Sequence, residues 1–262
     1  MKNLSANTLF HFTNKMEYFI DILENDFSPR YCVEDWTPLT GADSLLDQYV
    51  AVPMVCFCDI PLSQIGNHME VYGSYALGLK KEWGINNKLT PLLYCHNDSD
   101  IAASLKMLRN YVDDKNSYEA LWNLVDILRY VKPYEGKIEN IKGELSNVRF
   151  YDEREWRFVP AKAMRIKGKK DNKETPVCLY GDQFLTDGIM DRNKMILANK
   201  QVREFKLTFT PEDIKYIIIE KESDRLEVAS RIKSIKGNKF IYDTIQTLVT
   251  KIISSEQIRE DF

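Results

Sequence analysis

The run YVAVPMVCFC, residues 49–58, is the longest apolar stretch of the chain, and the acid Asp59 follows it directly. It is about half as long as a membrane span, and its β-branched and aromatic residues predict a buried β-strand. In such a strand Cys56 and Cys58 share one face. Structural zinc sites instead use ligand pairs on turns, with a second pair downstream. We therefore expect buried reduced thiols here and no metal.

The patterns on either side of this strand predict further strands and helices. One helical stretch, Ile101–Val131, keeps an apolar stripe that is broken near Asp113–Ser117, and a charged loop follows to Asn147. The simplest architecture is a single α+β domain, residues 1–262, with a helical insertion at about 99–147. Strands are also expected at Thr8–Phe12, Tyr75–Lys80, Thr90–Cys95, Arg154–Val159, Val202–Phe209, Tyr216–Glu220 and Leu248–Ile253, helices at 14–25, 223–235 and after Ser255, and loops at 28–48 and 167–175.

Charge and composition exclude several classes of protein. The formal net charge is −3, from 36 Lys and Arg against 39 Asp and Glu, so any polyanion site would have to be a local patch. Five cysteines, an odd number, do not form a disulfide framework, and the first residues lack a signal-peptide pattern, so a cytoplasmic protein without membrane contact is expected. Basic residues cluster at Arg165, Lys167, Lys169, Lys170 and Lys173, and again at Arg231, Lys233, Lys236 and Lys239.

Four familiar catalytic motifs are missing from the sequence. It contains no G-x-G-x-x-G, Walker A, H-E-x-x-H or G-x-S-x-G pattern. Rossmann dehydrogenases, P-loop NTPases, zincins and α/β-hydrolases are therefore disfavoured.

The strongest local signal is FYDEREWRFVP, residues 150–160. Alternation in a strand places Trp156 and Phe158 on an anchoring face and Glu153, Glu155 and Arg157 on the other. Beside a cleft, the two glutamates would raise each other's pKa and supply one acid and one base. The alternative is a solvated edge strand in which Glu155 and Arg157 form a surface ion pair.

Two weaker signals lie nearer the start of the chain. In LFHFT, residues 9–13, His11 and Thr13 share a strand face, and a firmly held histidine suits the positioning of a ribose hydroxyl or phosphate. In MEVYGSYALG, residues 69–78, Tyr72 and Tyr75 bracket Gly73, where a planar ring would find room to stack. The alternatives are a structural histidine in the first case and a turn followed by core aromatics in the second.

Several blocks in order resemble one family. LFHFTNKMEYFIDILENDFSPRYC, VPMVCFCDIPLS, YGSYALGLKKEW, EREWRF and KIISSEQIREDF are similar to the AbiGi family of abortive-infection proteins. That resemblance implies phage defence and a cognate toxin or antitoxin protein encoded nearby.

The same layout resembles, more distantly, ADP-ribosyltransferase-like toxins such as DarT. This second resemblance implies a split, mixed or antiparallel sheet with flanking helices, and NAD as substrate. Carried over by position, His11 and Thr13 would hold the adenosine-side ribose and Phe57 to Ser63 would line the cleft. Tyr72 or Tyr75 would stack near nicotinamide. Glu155 would be the catalytic acid, with Glu153 as a candidate second glutamate.

Three functions follow from these expectations. The first is an NAD-dependent ADP-ribosyltransferase in phage defence that modifies a macromolecule, with RNA or DNA among the acceptors. The second, from a different class, is a non-catalytic antitoxin or regulatory partner on a degenerate version of the same fold. The third is metal-dependent nuclease or nucleotide chemistry using Asp152, Glu153 and Glu155.

Overall fold

A computed structural model describes residues 6–41, 49–115, 118–139, 145–160, 166–167, 174–175, 178–180, 184–186, 189–235 and 241–261. The helices are α1 Met16–Asn25, α2 Thr37–Thr40, α3 Gly66–Tyr72, α4 Lys81–Asn86, α5 Asp100–Lys115, α6 Tyr118–Leu128, α7 Arg192–Val202, α8 Arg225–Ser234, α9 Tyr242–Val249 and α10 Ser255–Asp261. The strands are β1 Thr8–Thr13, β2 Arg30–Asp35, β3 Tyr49–Cys58, β4 Tyr75–Lys80, β5 Thr90–Pro91, β6 Leu93–Cys95, β7 Val131–Pro133, β8 Gly136–Glu139, β9 Leu145–Val148, β10 Glu155–Phe158, β11 Ile166–Lys167, β12 Glu174–Thr175, β13 Leu179–Tyr180, β14 Leu185–Thr186, β15 Ile189–Met190, β16 Ile214–Ile219 and β17 Ile252–Ser254.

A mixed sheet organises the fold. Its order is β17-β16-β4-β1-β3-β10-β5, and β2 and β13 also pair with β3. The pairing of β16 with β17 is parallel, and the other pairings in this sheet are antiparallel. The expected α+β class with a mixed sheet is therefore confirmed. The apolar run at 49–58 forms the strand that contacts the largest number of neighbours, which explains why both of its faces are apolar.

The junction between β1 and β3 is narrow. The two strands are in register at a single position, where Phe10 lies opposite Cys58. Beyond it the imidazole Nδ1 of His11 lies 2.8 Å from the carbonyl oxygen of Cys56. By contrast, β1 and β4 stay paired from Thr8 to Thr13. The sheet is thus joined along this line by few main-chain contacts.

Apolar clusters cover the two faces of the sheet. On one face Leu9, Phe57 and Leu77 pack with α1 and α8 in the first core. On the opposite face Phe10 and Cys58 pack with α3 and α10. On that same face of β3, towards its start, the even-numbered residues from 50 to 56 pack against α2, α5 and α6. Polar side chains of β10 lie between these last two clusters.

Several expected elements differ from the structure. The loop predicted at 28–48 is wrong for residues 28–41, because β2 and α2 form there and Tyr31 and Trp36 are buried; residues 42–48 lie outside the described part of the chain. The predicted strand at 202–209 is also wrong, since α7 extends to Val202 and only one isolated bridge, between Phe27 and Leu207, follows. The polar sequence at 28–48 gave no sign of β2 and α2. The β-branched and aromatic residues at 202–209 suggested a strand that does not form.

The region after residue 99 is only partly helical. The helical stretch expected at 101–131, with its break near 113–117, corresponds to two helices, α5 and α6. Strands β7, β8 and β9 form within the expected loop at 132–147, of which residues 140–144 lie outside the described part of the chain. The expected strand at 90–95 divides into β5, which pairs with β10, and β6, which pairs with β7. Among the described residues, no helix has the length and apolarity that a bilayer crossing requires.

Candidate functional site: a buried carboxylate network

Strand β10 directs its charged side chains into the protein. Trp156 and Phe158 pack against the first core, so the alternation predicted for this strand is confirmed. Glu155 and Arg157 point to the opposite face and are only 6% and 1% exposed. Glu155 and Arg157 do form an ion pair, but it is buried rather than on the surface. The solvated edge strand is also wrong, because β10 lies between β3 and β5.

Arg157 and Lys132 hold the Glu155 carboxylate from two directions. Arg157 Nε donates to Oε1 at 2.5 Å, and Lys132 Nζ donates to Oε2 at 3.0 Å. The Arg157 guanidinium also donates to Glu34 Oε1 at 2.8 Å and to the carbonyl oxygen of Arg129 at 3.0 Å. Each of the two cations thus bridges Glu155 to a further acceptor.

Glu153 reaches the same lysine from a turn rather than from the strand. It ends a 3₁₀ turn, Phe150–Glu153, and Arg154 then adopts φ +44° before β10 begins. Lys132 Nζ donates to Glu153 Oε2 at 2.9 Å, and the Tyr72 hydroxyl donates to Glu153 Oε1 at 2.6 Å. We call the connected side chains Glu34, Arg157, Glu155, Lys132, Glu153 and Tyr72 the carboxylate network.

The electrostatics of this network oppose the expected acid–base pair. Burial alone would raise the pKa of Glu155, but the charges of Arg157 and Lys132 and hydrogen bonds from Arg157 and Cys56 hold it below its ordinary value. The prediction that the glutamates raise each other's pKa is therefore wrong for Glu155. Because its pKa is depressed by folding, this carboxylate stabilises the protein above its unfolded pKa and loses that contribution as the pH falls.

His11 does not share a cleft with Glu155. Phe10, Cys58 and Glu155 lie opposite one another across β1, β3 and β10, so their side chains share a face. His11 follows Phe10 and points to the other face, where its ring contacts Phe27 and Phe57, both in the first core. The expected convergence of His11 and Glu155 on one dinucleotide is thus not present.

The remaining predicted site residues divide in the same way. On the face of His11, Phe57 is buried in the first core, Tyr75 donates from its hydroxyl to Asp224 Oδ2 at 2.9 Å, and Thr13 Oγ1 donates to the Lys15 carbonyl oxygen at 3.2 Å. Ser63 is exposed in a 3₁₀ turn, Leu62–Gln64. Of these predicted residues, only Tyr72 lies beside the glutamates, where it contacts Glu153. The NAD-binding roles therefore stay predictions.

Lys132 and Glu34 are the network members that sequence reasoning missed. Lys132 lies in β7, inside a stretch that reads as a charged loop, and Glu34 lies in β2, inside another expected loop. No local pattern marks either residue, because their partners are distant in sequence.

The two cysteines of β3 are reduced, as expected. Cys56 is a half-buried free thiol and Cys58 a buried one, and burial is the largest cause of the raised pKa of each.

His68 provides a pH-dependent contact beside the network. Its half-buried ring lies 4.4 Å from the Tyr72 ring and 5.0 Å from the Phe12 ring, measured between centroids. Burial lowers its pKa from 6.5 to about 4; the charge of Glu155 raises the pKa and that of Lys132 lowers it. The unfolded chain therefore binds more protons between these pH values, and stability must fall as the pH drops through that window.

Because of His68, we expect the free energy of unfolding to fall by about 2–3 kcal/mol as the pH drops from 7 to 4. Urea unfolding at several pH values measures this loss, and His68→Phe should reduce the slope. The matched control is His96→Asn, at an exposed position. Equal slopes for wild type and His68→Phe would contradict the assignment.

Among the described residues, no three His, Cys, Asp or Glu side chains are grouped so as to hold a metal ion. The acids proposed for metal-dependent chemistry are among these ungrouped side chains. Asp152 instead forms an exposed ion pair, in which its Oδ2 lies 3.7 Å from Nη1 of Arg149. Most of the basic cluster at 165–173, and Lys236 and Lys239 of the other, lie outside the described residues.

The structure defines a mixed α+β protein with a buried ion network at its central sheet. The family model described as "Putative abortive phage resistance protein AbiGi, antitoxin" matches residues 25–220, most of the chain. The chain therefore belongs to the AbiGi family, as its sequence blocks suggested. An abortive phage resistance protein AbiGi from Lactococcus lactis subsp. cremoris is similar, with 28% identity over 260 residues, 90% of this chain and 99% of that protein. No solved structure matches the chain significantly.

Proposed function

We propose that this chain acts in abortive phage resistance as a non-catalytic partner that binds a cognate toxin. The observation that carries the proposal is the state of Glu155. Its two carboxylate oxygens are occupied by Arg157 and Lys132, and its side chain is buried. A catalytic carboxylate needs an oxygen available to the reacting group. The family description, which ends with the word antitoxin, supports the same role.

In this proposal the carboxylate network is structural. Lys132 and the carbonyl oxygen of Arg129 belong to the segment after the two helices α5 and α6, whereas Glu155 and Arg157 belong to the central sheet. The network therefore fixes that segment against the sheet. A shape-specific binding protein needs such fixed geometry, because ordering a flexible surface on binding reduces affinity.

The second candidate is the ADP-ribosyltransferase, with NAD as substrate and a macromolecule such as RNA or DNA as acceptor. One observation favours it: Tyr72, a residue expected to stack near nicotinamide, donates to Glu153 at 2.6 Å beside Glu155. Substrate binding would then have to displace Lys132 from both glutamates. The two candidates differ in whether the charge of Glu155 is needed for function.

The double variant Lys132→Met/Glu155→Gln separates them. It removes one positive and one negative charge together and leaves Arg157 paired with Glu34. We expect phage plating efficiency on cells carrying the native locus to stay within about 10-fold of wild type, since loss of a catalytic acid typically costs 10²–10⁴-fold in rate. Thermal unfolding of the purified variant verifies that it is folded.

Labelled NAD provides the second readout. Wild-type protein incubated with lysate should transfer no label to protein, RNA or DNA, and calorimetry should detect no NAD binding. Transfer of label by the wild type that the double variant abolishes would overturn the antitoxin proposal and establish the transferase.

A further inference from the structure

A second feature lies at the far edge of the sheet from the carboxylate network. Strands β16 and β17, the start of α8 and helix α10 surround an open cavity of about 440 Å³. Sites for small molecules typically have volumes of this order. The lining is rich in cations and includes one acid, Asp261: its other members are Lys215, Tyr216, Arg225, Thr250, Lys251, Ile252, Ile253 and Gln257.

The half-buried Lys251 has no carboxylate partner among the described residues. Its ammonium group donates instead to the carbonyl oxygens of Ile214 and Pro211. Burial, followed by the nearby charge of Lys80, lowers the pKa of Lys251, with a smaller opposing effect from Glu212. Two carbonyl contacts leave one ammonium proton available and do not neutralise the charge, so an anion in the cavity would be stabilised there.

Lys215 supplies a second cation without an acidic partner in the described part of the chain. Its ammonium group lies 5.7 Å from the centroid of the Tyr216 ring, which also lines the cavity. The Tyr216 ring stacks against Phe10 at 5.9 Å, so it is held in place. An aromatic wall beside two ammonium groups fits a ligand that has both an organic ring and an anionic group.

Arg225 shapes the wall rather than offering a free charge. Its guanidinium pairs with Glu222 and donates to the carbonyl oxygen of Ile252 at 2.8 Å and to Gln257 Oε1 at 3.0 Å. The two available cations are therefore lysines. Separate ammonium groups suit a multivalent anion, whose several oxygens reach both donors, better than a single carboxylate.

We propose that this cavity binds a small phosphate-bearing molecule, with its phosphate on Lys215 and Lys251 and its organic part against Tyr216. No residue of the carboxylate network lines this cavity, so the proposal does not rest on the proposed function. Pyrophosphate and AMP serve as probes in calorimetry at low ionic strength, where charge interactions are least screened. Both are expected to bind, and AMP more tightly because of the ring contact.

The test uses Lys215→Gln, with Lys233→Gln as the matched control on the exposed surface of α8. We expect Lys215→Gln to weaken AMP binding at least tenfold and the control to leave it unchanged. Lys251→Gln is a second variant, but Lys251 also contacts main-chain oxygens and its replacement puts folding at risk. If Lys251→Gln does not fold, Lys215→Gln alone decides the result. Equal weakening by the control, no binding of either probe at millimolar concentration, or binding of a single-stranded oligonucleotide without either small probe would overturn the proposal.

Discussion

Replacing Arg157 with methionine is expected to lower the free energy of unfolding by about 3–5 kcal/mol, because it leaves buried charge without its partner. The guanidinium contacts Glu155, Glu34 and the carbonyl oxygen of Arg129, and its side chain is almost completely buried. Methionine preserves most of the volume, so the loss reports the unpaired carboxylates rather than a cavity. Urea unfolding at pH 7 measures it.

Arg149→Met is the matched control for this measurement. Arg149 and Asp152 form an ion pair of 3.7 Å in which both side chains are more than half exposed. Such surface pairs contribute about 0–1 kcal/mol. If Arg157→Met cost no more than Arg149→Met, the carboxylate network would not be a structural element, and the main support for a non-catalytic role would be lost.

Replacing Gly73 with alanine is expected to destabilise the protein by about 3 kcal/mol or more, from backbone strain and overpacking together. Gly73 has φ +107°, which L residues rarely adopt. A Cβ atom there would lie 2.4 Å from the carbonyl oxygen of Thr13 and 2.4 Å from Cα of Asn14. Since these are backbone atoms, neither can move aside cheaply. The midpoint of thermal unfolding measures the effect.

Gly66→Ala provides the comparison for Gly73→Ala. It lies at the start of α3, where an added Cβ meets no atom within 4 Å. We expect a neutral or slightly stabilising effect there, because alanine reduces the entropy of the unfolded chain. Similar losses at both positions would contradict the steric explanation. The close approach that Gly73 permits is therefore to the end of β1, not to a stacked ligand ring as its sequence context suggested.

Periodicity predicted the parts of the fold in which neighbours along the chain decide the structure. Alternation in EREWRF placed Trp156 in the core and Glu155 on the opposite side, and the apolar run at 49–58 became the central strand. Strand β2 escaped prediction because RYCVED is polar and has its partners 14 to 24 residues away, on β3. Its stability comes from pairing and from tertiary packing, which a local pattern does not contain.

The candidate site was predictable only in part for the same reason. The glutamates of the network stand out within one short motif, but Lys132, which joins them, is more than 20 positions away from both. Sequence likewise gave no means of assigning His11 and Glu155 to opposite faces. That result depends on the register of β1 and β10 against β3, and a shift of one residue in either pairing would reverse it.

The narrow junction between β1 and β3 has a thermodynamic consequence. One residue pair and the His11 contact link these two strands directly. Packing of apolar side chains such as Leu9, Phe57 and Leu77 therefore stabilises the junction. Hydrophobic stabilisation weakens on cooling, whereas main-chain hydrogen bonds do not follow that trend. Cooling is therefore expected to weaken the β1–β3 line before the longer β1–β4 ladder.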